Sequence, residues 1–134
     1  GKYIRYGGWQ NDKAVRLFNK NYCRYTGLVH EVIHTEGKVG TLKEKVDHFS
    51  YKSFDNYNNK LNLYSKLQSE SLYEKNRRPN AYHFFFRPFY RFCWQYFYRL
   101  GVLDGKEGFI LAYVHSFSIF KRYLQLWMKY RKIE

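Results

Sequence analysis

The sequence predicts an α+β fold, with short strands or extended segments at the N-terminal end followed by about three amphipathic helices. Two observations carry this. Up to about residue 50, apolar runs of four to eight residues alternate with Gly and polar pairs, whereas from Ser53 onward apolar residues recur at three- and four-residue spacing. With 134 residues the chain is the size of one domain and needs no disulfide staples to bury a core.

The extended segments are Tyr3-Ile4-Arg5-Tyr6, Ala14 to Phe18, Leu28 to Ile33 and Val39 to Val46. Turns are expected at Gly7-Gly8, at Asn19 to Asn21 and at Gly37 to Gly40. The first helix is marked by Phe54, Tyr57, Leu61, Tyr64 and Leu67 and runs to about Lys75, where Asn76 to Asn80 breaks it. The second aromatic segment runs from Ala81 to Leu100, with Pro88 expected to end or kink whatever helix precedes it. Arg87, Arg91 and Arg99 are interspersed there among Phe, Tyr and Trp, a composition that fits either an interfacial helix or the central helix of a small cluster. After Gly101 to Gly105 a third helix runs from about Lys106 to Lys132 and ends in Lys129, Arg131 and Lys132. Those cations complement the helix dipole and equally suit an anionic membrane surface.

A formal charge of +13 coexists with 22% aromatic residues, which favours anionic partners: nucleic acid, lipid headgroups or phosphorylated sugars. Cys23 and Cys93 lack CxxC or metal-ligand spacing and read as two reduced intracellular thiols. No apolar run reaches the length of a membrane span, and the opening Gly1-Lys2-Tyr3 carries no signal-peptide pattern.

Chemistry-bearing side chains concentrate between Gly7 and Glu31. Asp12 follows a Gly-Gly-Trp turn, where a carboxylate can reach a substrate hydroxyl as general base or close an Asx turn. Arg16 offers a planar fork to a phosphate or to a cross-strand ion pair. His30 and Glu31 are neighbours on an extended run and point to opposite faces, so one can serve a metal or acceptor while the other holds the scaffold. A lone strand His is also commonly structural. No GxGxxG, P-loop, HExxH, GxSxG or zinc pattern occurs.

The order of the pieces is more specific than any one of them. Gly7-Gly8-Trp9-x-x-Asp12, Arg16-Leu17-Phe18, Val29-His30-Glu31, Gly40-x-Leu42, His48-x-x-Tyr51, Lys60-x-Asn62-x-Tyr64-Ser65, Arg87-Pro88 and Leu103-Asp104-Gly105-x-x-Gly108 precede a closing aromatic-basic helix. This series resembles the C-terminal half of bacterial family 2 glycosyltransferases, of the lipopolysaccharide-core glucosyltransferase type.

The resemblance implies an inverting GT-A enzyme in which residues 1–50 are the strand-rich C-terminal part of the catalytic domain and contribute to its sheet. Residues 51–134 would form a helical subdomain on the acceptor side and at the membrane surface. The donor-binding half, with an Asp-x-Asp metal motif that this sequence lacks, is expected to precede residue 1, so these residues alone are expected to be inactive. By the same resemblance Asp12 is the catalytic base, with Glu31 a second acceptor-side or catalytic carboxylate. Trp9 is the acceptor platform, Arg16 steadies the leaving group, and His30 approaches a divalent cation, Mg or Mn, or the diphosphate.

The implied partners are a nucleotide-sugar donor, a glycan or lipid-linked acceptor and the missing N-terminal half. The implied location is cytoplasmic, peripheral on the inner face of the cytoplasmic membrane. The competing expectation is a basic aromatic module that binds nucleic acid or a membrane surface without catalysis. Against nucleic acid, the rings fall at helical spacing rather than on an exposed sheet, and no RNA or DNA motif is present.

Overall fold

The computed structural model describes residues 3–8, 15, 17–19, 21, 23–26, 32–35, 37–42 and 53–133. The chain divides into two compact units, Gly1–Asp12 with Tyr51–Glu134, and Lys13–Ser50.

The first unit is helical. Helix α1 spans Phe54–Glu74, α2 spans Ala81–Cys93, and α3 spans Lys106–Arg131. A π-helical turn, Trp94–Tyr98, extends α2, and a 3-10 turn, Gly101–Asp104, leads into α3. Local chemistry sets the helix ends. Ser53 Oγ accepts from Asn56 N at 3.2 Å and caps α1. Asn76, with φ 52°, closes that helix in the left-handed region, which Asn tolerates better than most residues.

Asn80 caps α2 reciprocally, its Oδ1 accepting from His83 N at 3.3 Å while His83 Nδ1 accepts from Asn80 N at 3.2 Å. Pro88 does not end α2, which runs through it. The Pro88 carbonyl accepts a hydrogen bond from Ser116 Oγ of α3 at 2.7 Å, which ties the proline turn to the neighbouring helix.

Helix α3 is the central element, with both α1 and α2 packed on it. The buried apolar side chains are few: Tyr57 of α1, and Ala112, Tyr123 and Leu126 of α3. Small polar residues fill the α1–α3 contact, where Ser65 Oγ donates to the Ser118 carbonyl at 2.9 Å. Lys121 Nζ reaches the side-chain oxygens of both Asn58 and Asn62 from across that contact.

The second unit contains one antiparallel ribbon, β1 (Cys23–Thr26) and β2 (Val32–Thr35), in the register Cys23↔Thr35 to Thr26↔Val32.

The expected α+β class, with strands belonging to a GT-A sheet, is overturned. The described residues are dominated by helix, and the four-residue ribbon is too small to be a catalytic-domain sheet. Tyr3 to Tyr6, Val15, Leu17 to Asn19 and Val39 to Leu42 form no strand. The physical reason lies in burial. Leu17 is 85% exposed, and Val15, Val39 and Leu42 are exposed too, so these described residues have no covered apolar face to hold in a sheet. Residues 14, 16, 28–31 and 43–46 of those runs lie outside the described residues.

Candidate functional site

The five residues singled out by sequence, Trp9, Asp12, Arg16, His30 and Glu31, all lie outside the described residues. The structure does show how the segment leading to Trp9 is held. Asp104 is buried at the end of the 3-10 turn, and its two carboxylate oxygens accept from the backbone N–H groups of Arg5 (3.1 Å) and Tyr6 (2.8 Å). Gly7 N donates to the Arg99 carbonyl at 2.9 Å. Gly7 and Gly8 then turn with φ of 72° and 111°, a conformation that favours glycine. A Cβ at Gly8 would lie 3.8 Å from Arg99 Nε, so the turn sits directly beside that guanidinium.

The motif Leu103-Asp104-Gly105-x-x-Gly108 thereby acquires a physical meaning. Asp104 clamps the N-terminal segment, Gly105 (φ 67°) redirects the chain into α3, and Gly108 allows α3 to touch Gly101 backbone to backbone.

A polar ridge runs along the side of α2 that meets α3. His83, Arg87, Arg91, Gln95 and Arg99 recur every four residues. His83 packs on Tyr123 with ring centroids 4.7 Å apart, and the Arg87 guanidinium lies 6.0 Å from the same ring. Arg91 Nη2 reaches His115 Nδ1 at 3.3 Å, and His115 stacks on Tyr57 at 5.7 Å. Burial, reinforced by the Arg91 charge, pushes His115 down to about 4, so its imidazole is neutral at physiological pH.

Burial lowers Arg91 and Arg122 as well, with further lowering of Arg91 by Arg99, and of Arg122 by Arg87 and Arg91. Among the described residues no carboxylate pairs with Arg87, Arg91 or Arg122. Gln95 is 1% exposed, yet neither its amide nitrogen nor its oxygen has a hydrogen-bond partner there, and the same holds for Arg122 Nε. Such a seam is cationic, half-buried and short of acceptors, which suits an oxyanion.

The ridge stands in the sequence as a four-residue repeat embedded in a dense run of rings. His115 carries no local signal, since its partner Arg91 lies 24 positions away, and the motif around Asp104 does not reveal its partners Arg5 and Tyr6, 99 and 98 positions away. No group of three or more His, Cys, Asp or Glu side chains able to hold a metal ion occurs among the described residues.

Most of this chain aligns with two curated proteins. Both are named as glycosyltransferases. An uncharacterized glycosyltransferase of Rickettsia typhi is 23% identical over 125 residues, which is 86% of this chain and 43% of that protein. An uncharacterized glycosyltransferase of Rickettsia prowazekii gives the same identity and coverage. The chain thus spans less than half the length of the curated relatives it matches. No protein-family model matches it. No solved structure matches it either.

Proposed function

We propose that this chain is the acceptor-side portion of an inverting glycosyltransferase of family 2. The parent enzyme would move a sugar from a nucleotide-diphosphate donor to a lipopolysaccharide-core or other cell-envelope glycan. The single observation that carries the reading is the alignment of most of the chain with two rickettsial proteins named glycosyltransferases. The motif order described for the sequence supports the finer assignment.

In this reading the acceptor hydroxyl oxygen attacks the anomeric carbon as the bond to the diphosphate breaks. The Asp12 carboxylate takes the hydroxyl proton, and the electron pair of the broken bond leaves on the diphosphate. Trp9 supports the acceptor ring, while Glu31 orients the acceptor. Arg16 steadies the leaving phosphate through its planar donor fork. A divalent cation, approached by His30, would neutralise diphosphate charge when bound.

The test is release of nucleoside diphosphate by the full-length gene product across a panel of nucleotide-sugars, with wild type compared with Asp12→Asn. The expected result is turnover that falls by about 100-fold or more in the variant, at unchanged far-UV circular dichroism. Loss of less than tenfold removes Asp12 as the base. A wild-type protein that hydrolyses or transfers none of the donors, with and without Mg or Mn, overturns the glycosyltransferase reading.

A further inference from the structure

Helix α2 is amphipathic in an unusual sense: Arg91, with Gln95 just beyond it, is turned toward α3, and an aromatic face looks outward. Phe85 is 72% and Phe89 66% exposed, and Tyr82, Phe86 and Tyr90 are exposed beside them. The face continues along the π-helical turn through Phe97 and Tyr98. It also crosses to α3, because Phe92 and Tyr96 both meet Phe109 edge-on at 5.5 and 5.6 Å, and Phe109 stacks on Tyr113 at 6.3 Å. Ile110, Tyr113 and Phe117 are exposed on that side of α3. Soluble monomers rarely leave more than a few hundred Å² of contiguous apolar surface open to water, and a single aromatic side chain presents roughly 150–250 Å².

We propose that this aromatic face docks on an anionic lipid bilayer, lying in the headgroup region with α2 parallel to the surface. Three observations select a bilayer over a protein partner. From Ala81 to Arg99 there is no Leu, Ile, Val or Met, whereas a face built for a protein core would draw on those side chains. Phe, Tyr and Trp are the rings that settle at the boundary between headgroups and acyl chains. From Lys75 to Leu103 there is no Asp or Glu, and the exposed Lys75, Arg77, Arg78 and Arg87 stand in a chain of net charge +13, so the charge complements anionic headgroups. Lys106 opens α3 beside Phe109 and Ile110, and these three line a shallow depression of about 430 Å³ with Tyr96 and Gly105, which sets a cation at the rim of the apolar face.

The geometry is that of a helix lying on a membrane rather than crossing it, since no helix among the described residues is long and apolar enough to span. Arg91 and Gln95 are turned onto α3, which keeps their polar groups off the outer face, while Arg87 is itself exposed. This inference does not depend on the glycosyl-transfer reading, and its test measures no transferase activity.

The test is flotation of the full-length gene product with vesicles of phosphatidylcholine alone and of phosphatidylcholine with 30% phosphatidylglycerol, in low and in 0.5 M salt. The expected result is binding to the anionic vesicles at least tenfold stronger than to neutral ones, weakened but not abolished by salt because the rings contribute independently of charge. Phe85→Asp combined with Phe89→Asp is expected to lower binding at least tenfold with far-UV circular dichroism and thermal midpoint unchanged, since both side chains are exposed. Tyr113→Asp is the second variant, expected to lower binding by a smaller factor from the α3 side of the face. Failure of the wild type to float with anionic vesicles at low salt overturns the proposal, as does undiminished binding of the double variant. Self-association that the double variant abolishes, without vesicle binding by the wild type, would assign the face to a protein interface instead.

Discussion

Gly108 of α3 and Gly101 of the 3-10 turn touch backbone to backbone: a Cβ added at Gly108 would lie 1.9 Å from the Gly101 carbonyl oxygen. A Cβ at Gly101 would in turn lie 2.8 Å from the Gln95 carbonyl oxygen. Both obstructing atoms are backbone, so no side-chain rotation can relieve either clash. The π-helical turn, the 3-10 turn and the start of α3 are therefore held in register by two missing methyl groups.

Gly108→Ala is expected to force α3 away from the 3-10 turn and to destabilise the helical unit by about 2 kcal/mol or more, in the upper part of the range for overpacked sites. Gly40→Ala is the control: nothing lies within 4 Å of its added Cβ, so a change within about 0.5 kcal/mol is expected. Chemical denaturation of the two variants checks the contrast. Equal stabilities would mean that the Gly101–Gly108 contact is not held in solution.

Asp104 joins the N-terminal segment to the same hub. Asp104→Ala leaves the Arg5 and Tyr6 N–H groups without these acceptors, and the loss of two hydrogen bonds to a buried carboxylate is expected to cost about 2–4 kcal/mol. Asp104→Asn keeps one acceptor oxygen and is expected to lose about half as much. Amide hydrogen exchange at Arg5 and Tyr6 is the local readout: it should accelerate in the order wild type, Asn, Ala. Unchanged exchange at both amides in the Ala variant would show that the clamp does not hold this segment.

The helices could be read from the sequence and the expected sheet could not, for identifiable physical reasons. Phe54, Tyr57, Leu61 and Tyr64 follow the helical repeat, and Ser53 and Asn80 stand where N-caps belong, so local chemistry and packing agree. Tyr3-Ile4-Arg5-Tyr6 has the composition of a strand, but its backbone is used by Asp104, a partner 98 or 99 positions away that no local window contains. Pro88 predicts an end or a kink; it does not end α2, and the Ser116 hydroxyl of α3 is bonded to its carbonyl. The four-residue spacing of His83, Arg87, Arg91, Gln95 and Arg99 was visible, but its direction was not. Amphipathic spacing identifies a face without saying whether that face meets protein or solvent, and here the polar side meets α3. Trp9, Asp12, Arg16, His30 and Glu31 all precede α1 and lie outside the described residues.

Leu126 and Trp127 are adjacent on α3 and separate the two kinds of apolar position in this molecule. Leu126 is completely buried, one of the few buried apolar side chains among the described residues, whereas Trp127 is partly exposed beneath the Arg131 guanidinium at 5.6 Å. Leu126→Ala is expected to cost about 3 kcal/mol through lost burial and an unfilled cavity. In so small a core that is enough to populate the unfolded state measurably. Trp127→Ala should cost about 1 kcal/mol, from the loss of partial burial and the cation–π contact. Urea midpoints of the two variants test the order, and a larger loss in the Trp127 variant would refute this assignment of the core.

His115 makes stability depend on pH in a defined window. Its folded value of about 4 lies below the ordinary histidine value of 6.5, so the unfolded chain binds a proton in this range more readily than the folded one. The contribution is full above pH 6.5 and is lost as the pH falls from 6.5 towards 4, at most a few kcal/mol in total. His115→Gln should flatten the stability profile across that window. Arg91 supplies the second cause of the shift after burial, so Arg91→Met should raise the His115 value while leaving it below 6.5, because the desolvation by α1 and α2 remains. NMR titration of the imidazole distinguishes the two causes: no change in the Arg91 variant would assign the whole shift to burial. A wild-type value near 6.5 would mean that the seam between α2 and α3 is open to water.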